Sequence, residues 1–288
     1  MLIKIRDSDE PGSILGALFN FFPADSDLKW NILIGLEAAL AVLVSSYLAI
    51  AFGIPEAGLA SIALASAAIV PRVNQIQRLN RDRIWELGYG GWTANSKSIV
   101  SGTTLFIAMV IAYTVLASLT DRSVLVEHFR FIVGPEVYDN PQLSPERFSH
   151  GMTFMVTNFF VLIVFFILAF VYRGLGTSLA LGWNAGVWSV SIVLMVKSGM
   201  AASESSAALP FIAIAALSPH IILEGMAYLS GSLAAIFLSR GITLYKMSDP
   251  RLLQVVNAVS VLVFVSVGLV VLAALVEDQW APFILRLL

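Results

Sequence analysis

The stretch Leu253–Val276, LQVVNAVSVLVFVSVGLVVLAALV, carries no ionisable side chain over 24 residues. As an α-helix rising about 1.5 Å per residue, it is long enough to cross a hydrocarbon core of about 30 Å. It reads as a transmembrane span. Working outward from it, comparable runs stand at about 30–52, 99–118, 151–172, 177–196 and 221–238. The chain has 288 residues, of which 58% are hydrophobic and 12% charged, against roughly 45–50% and about 25% in soluble domains. The expected fold is all-α: a polytopic transmembrane helical bundle of about seven spans plus a broken or re-entrant segment.

Two apolar segments are shorter than a full span. Ala57–Val70, rich in small residues and bounded by Pro55 and Pro71, reads as a thin span hairpinned against the first, or else as a re-entrant segment. Residues 206–217 end before Pro219, and with 221–238 they suggest a membrane element broken at the proline. Residues 12–22 (GSILGALFNFF), followed by Pro23, predict a helix lying in the interface. Polar loops are expected at 72–98 and 119–150, the second amphipathic around 124–133. Four regions result: 1–29, a cytoplasmic N-terminus with the interfacial helix; 30–118, an N-terminal transmembrane region with a basic loop; 119–150, an extracytoplasmic loop; and 151–288, a C-terminal transmembrane core.

Net charge is only −2, which argues against nucleic acid as a partner. Charge instead sets orientation. Twelve of the 17 basic residues fall on the side of the N-terminus, among them Arg72, Arg78, Arg81, Arg83 and Lys97. The other five are Arg122, Arg130, Arg147, Lys197 and Arg286, so the N-terminus is expected in the cytoplasm. The first ten residues lead into no apolar run with a cleavage site, so no cleaved signal peptide is expected. Without cysteine there is no disulfide framework, thiolate metal site or cysteine nucleophile.

Ionisable and amide groups at membrane depth are costly, and each is a candidate for function. Glu37 in the first span and Glu56 at the mouth of the second are the carboxylates from which an ion path could be built. Asn158, Arg173, Asn184, Pro219, His220 and Glu224 form a candidate polar core of the second half. His220 and Glu224, four residues apart, share one helix face and can hydrogen bond. This pair reads most simply as mutual satisfaction beside Pro219. A proton or ion relay would use the same groups. Ser218 beside His220 is not a triad, and no Gly-x-Ser-x-Gly elbow accompanies it. The only other histidines are His128 and His150, so no metal ligand set assembles in the sequence, and no cofactor is expected. Gly182 and Gly186, with Ala227, Gly231 and Ala235, mark faces for close helix packing, or else a homodimer seam. Gly-Tyr-Gly-Gly-Trp at 88–92 lacks the Lys-Ser/Thr of a phosphate loop and reads as a turn.

Residues 147–245 carry, in order, Asn158, Arg173-Gly174-Leu175-Gly176, Gly182-Trp183-Asn184-Ala185-Gly186 and Ser218-Pro219-His220-Ile221-Ile222-Leu223-Glu224, then small residues through Ala235 and Gly241. This series resembles the stage II sporulation protein M family of prokaryotic integral membrane proteins. Thr157 stands where that family often has the first of two asparagines, and the first 120 residues have no counterpart in it. The resemblance implies a non-enzymatic scaffold or assembly partner in a prokaryotic cytoplasmic membrane, with lipids and envelope-remodelling proteins as partners. The competing expectations are a transporter or channel and an intramembrane hydrolase.

Overall fold

A computed structural model describes residues 27–286, apart from 86, 135–136, 138, 140–141 and 203–206. The helix expected at 12–22 lies outside the described residues. Within them the chain forms eight α-helices and no strand. These are α1 (Asp27–Ala51), α2 (Ala57–Trp85), α3 (Gly91–Leu119), α4 (Arg122–Val133), α5 (Gly151–Tyr172), α6 (Gly174–Ala202), α7 (Leu209–Leu244) and α8 (Pro250–Leu285), with a 3₁₀ turn at Pro145–Phe148. All but α4 are long and apolar enough to cross a bilayer, so the protein is a multi-pass membrane protein, with seven spans among the described residues.

Each crossing reverses the chain. The start of α1, the α2–α3 loop, the α5–α6 joint and the α7–α8 loop share one face, here the proximal face. The α1–α2 turn, α4, the end of α6, the start of α7 and the end of α8 share the distal face. The joints follow from local chemistry. Gly53 takes φ 63° after α1, and Ile54 N–H donates back to the Ala49 carbonyl at 3.1 Å, the left-handed closure that glycine permits. At the α5–α6 joint the residue with positive φ is Arg173, at 52°. No spacer is possible there, because α6 begins at Gly174, and a Cβ on Gly176 would lie 2.3 Å from the Leu168 carbonyl oxygen.

In the bundle, α1 lies on α2 and α3, α6 lies against α2 and α3, and α7 joins α6 to α5 and α8. The two central helices, α6 and α7, are the most enclosed spans, whereas α5 presents most of its surface outward. Lipid is the natural cover for that apolar surface. Gly182 meets Ser66 and Ile62 of α2, and Gly231 meets Leu162 of α5 and Ser266 of α8. The small-residue stripes therefore serve packing within the chain. Amphipathic α4 buries Leu125, Phe129, Ile132 and Val133 against the start of α2 and against α6, with Phe129 over Gly58.

Three sequence expectations need correction. Residues 72–98 are not mainly a loop: α2 continues through Pro71 to Trp85, and α3 begins at Gly91. The apolar part of α2, 57–70, covers only about 21 Å, so the helix must run on into polar sequence to complete its crossing. Residues 209–238 hold no break either, since Pro219 lies inside the continuous helix α7. A proline removes one hydrogen bond and kinks a helix, but the packed neighbours of α7 hold it together. Finally, the last helix does not end near 276 but runs to Leu285, which carries Glu277 into the bundle.

Candidate functional site

Two polar centres lie inside the bundle, one in each half of the chain. The second-half centre is built on α7, whose register puts His220, Glu224 and Tyr228 at successive turns of one face. His220 is 1% exposed and Glu224 4%. The Glu224 carboxylate accepts from Tyr228 Oη at 2.6 Å on Oε1 and from Trp188 Nε1 of α6 at 2.8 Å on Oε2. His220 Nε2 is 3.4 Å from Glu224 Oε2, long for a hydrogen bond. Its Nδ1 is 3.1 Å from the Ala273 carbonyl and 3.7 Å from Glu277 Oε2, both on α8. The Trp188 ring meets the imidazole edge to face, with centroids 5.1 Å apart.

Both imidazole nitrogens therefore face oxygen atoms, and the ring lies between two carboxylates brought from different helices. The cluster ties α6, α7 and α8 at one level. Because the carboxylates approach opposite sides of the ring, they do not converge with it on a single point, and the described residues include no group of three or more His, Asp or Glu side chains placed to hold a metal ion. Ser218 precedes His220 by two residues on the same helix, which sends its hydroxyl toward a different side. Two surface hollows lie elsewhere, one against Arg122, Ser123, Val126 and Glu127 of α4, the other against Leu272, Trp280 and Phe283 of α8.

The first-half centre is an ion pair. Glu37 of α1 and Arg72 of α2 are 1% and 5% exposed, with Nε donating to Oε2 at 2.5 Å. Arg72 also donates through Nη1 to Gln75 Oε1 at 2.6 Å, and its guanidinium stacks over the Trp30 ring at 4.9 Å. This pairing explains how α2 carries an arginine into the bundle, since an unpaired charge there is costly.

The other sequence candidates are dispersed. Glu56 is exposed in the α1–α2 turn, apart from the buried Glu37 and the buried His220–Glu224 pair. Asn184 is buried, and its Nδ2 donates to the Ala180 carbonyl of its own helix at 2.8 Å. Asn158 is half-buried on α5, Arg173 is exposed at the proximal face, and Pro219 sits one residue before His220. Sequence reasoning missed Glu277, Trp188 and Tyr228. The signal for Glu277 was present: Val270, Ala273, Ala274, Glu277 and Ala281 continue one helical stripe past the apolar run, and all five are buried. Tyr228 stands one turn beyond Glu224. Trp188 had no local signal, because its partner is 36 residues away.

No protein-family model, curated protein or solved structure matches this chain.

Proposed function

We propose that this protein is a non-enzymatic membrane scaffold or assembly partner of a prokaryotic cytoplasmic membrane, with its proximal face in the cytoplasm. The observation that carries the reading is the closure of the Glu224 site. Its carboxylate takes its donors from α6 and α7, and the His220 ring stands beside it, with Glu277 on the ring's other side. Polar groups used in this way lock helices together. The dispersal of Glu37 and Glu56 supports the same reading, because an ion path needs its titratable groups in one line. The resemblance of residues 147–245 to the stage II sporulation protein M family adds the partner class, envelope-remodelling proteins. The proximal excess of basic residues supports the orientation.

The test is reconstitution of the purified chain into liposomes under an imposed proton gradient. The scaffold reading expects the gradient to decay as it does in protein-free liposomes. A decay that the protein accelerates and Glu224→Gln abolishes would replace it with the second reading, a proton-linked transporter. One observation favours that second reading: an imidazole flanked by two carboxylates inside a membrane bundle. Orientation is tested by labelling single cysteines at Arg81→Cys and Arg130→Cys, which should react from opposite sides of the membrane, Arg81→Cys from the cytoplasm.

A further inference from the structure

The proximal end of α2 carries a third polar group that neither centre uses. Gln77 is 1% exposed, Asn80 0% and Arg83 6%, all on the buried face of α2. Asn80 Nδ2 donates to Asn95 Oδ1 of α3 at 2.8 Å. Since α2 and α3 run antiparallel, Gln77 stands one turn deeper, at the level of Ser98. Four buried atoms here have no hydrogen-bond partner: Gln77 Nε2 and Oε1, Asn80 Oδ1 and Arg83 Nε. Buried polar groups are nearly always paired, and four orphans within two turns of one helix call for a partner.

Their chemistry selects the ligand. Two are donors, one of them on a guanidinium, and two are acceptors. A bare anion would satisfy only the donors. A phosphodiester that also carries a hydroxyl or ammonium group satisfies both, its phosphate accepting from Arg83 and Gln77 and its donor serving Asn80 and the Gln77 carbonyl. The depth agrees. Asn74 touches Gly174 at the α5–α6 joint, and Gln77, Asn80 and Arg83 lie about 5, 9 and 14 Å beyond it along α2, at the level of lipid headgroups. The basic excess of the proximal face, within which Arg81 pairs with Asp82 and Lys97 with Asp27 at 2.9 Å, draws anionic lipid. The four atoms are buried, so a ligand reaches them only if the surrounding side chains part.

We propose that the proximal end of the α2–α3 pair binds the headgroup of a phospholipid bearing a hydroxyl or ammonium donor, such as phosphatidylglycerol or phosphatidylethanolamine. The test is thermal unfolding of the delipidated full chain in detergent with dioctanoyl phosphatidylglycerol, dioctanoyl phosphatidylethanolamine, dioctanoyl phosphatidylcholine or inorganic phosphate. At about a hundredfold excess over Kd, a donor-bearing lipid should raise the melting temperature by about 5 °C, with a smaller rise from phosphatidylcholine and little from inorganic phosphate. Gln77→Leu removes no existing bond, so it should melt no lower than the parent and lose most of that rise, as should Arg83→Met. A rise undiminished in Gln77→Leu, an equal rise with phosphatidylcholine, or no rise with any lipid would overturn the proposal. An equal rise with inorganic phosphate would show an anion site and overturn the lipid assignment.

Discussion

Glu224→Ala should be among the most damaging substitutions in the chain. The carboxylate accepts two hydrogen bonds, from Tyr228 and Trp188, and lies beside His220 in a buried site. Hydrogen bonds to a charged group contribute about 1.5–3 kcal/mol each, so truncation costs about 3–6 kcal/mol before any penalty for leaving the tryptophan N–H and the imidazole without their neighbour. With a shift of about 2–4 °C per kcal/mol for a chain of this order of size, the melting point should fall by about 10 °C or more. Glu224→Gln keeps one acceptor oxygen and should lose about half as much. Tyr228→Phe deletes a single bond and should lose less than Glu224→Ala. Tryptophan fluorescence during thermal unfolding in detergent reads the loss and also reports on Trp188. A Glu224→Ala protein that melts within about 2 °C of the parent would show that the cluster does not hold α6 to α7, and the scaffold reading would lose its main support.

At the other centre, Glu37→Ala strands a buried arginine and should cost about 3–5 kcal/mol, whereas Glu37→Met with Arg72→Met should recover most of that loss; chemical unfolding of the parent and both variants decides. Gly225→Ala would place a Cβ 2.2 Å from the buried Phe106 ring and should cost about 1–3 kcal/mol, while Gly268→Ala, which meets nothing within 4 Å, should be neutral or slightly stabilising in the same melts. Asp249 caps α8 by accepting from Arg251 N–H at 2.9 Å, and its contacts to the Arg251 side chain and backbone hold its carboxyl below the ordinary value of 3.8. A lowered carboxylate pKa stabilises above the unfolded value and is lost as pH falls through the folded one. Fraying of the first turn of α8, read by amide hydrogen exchange, should therefore rise only below about pH 4, and Asp249→Ala should fray at neutral pH.

The seven spans were legible in the sequence because hydrophobic length is a local property, and lipid demands it of each helix separately. The places where sequence reasoning failed are those where one helix relies on another. Pro71 and Pro219 look like stops when only local propensity is weighed, yet both lie inside helices whose neighbours supply the packing. Arg72 looked like the start of a loop because its partner, Glu37, is 35 residues away. In the same way, His220 and Glu224 could be paired from their spacing alone, whereas Trp188 and the Ala273 carbonyl could not. Gln77 and Asn80 drew no attention, since amides in a supposed loop are unremarkable and only their burial makes them costly.

The two polar centres share no residue, and α6 is hydrogen bonded to helices of both halves. Its Ser178 carbonyl accepts from Ser66 of α2 at 3.0 Å, and its Trp188 reaches Glu224 of α7 at 2.8 Å. If the centres are independent clamps, a loss at one should leave the other intact. Substitutions without common partners add within about 0.5 kcal/mol. Glu37→Ala combined with Tyr228→Phe should accordingly lose the sum of the two single losses. A transporter that coupled its halves through α6 would instead make the second change cheaper or dearer in the presence of the first. A measured coupling well above about 0.5 kcal/mol would argue for that linkage and against a passive scaffold.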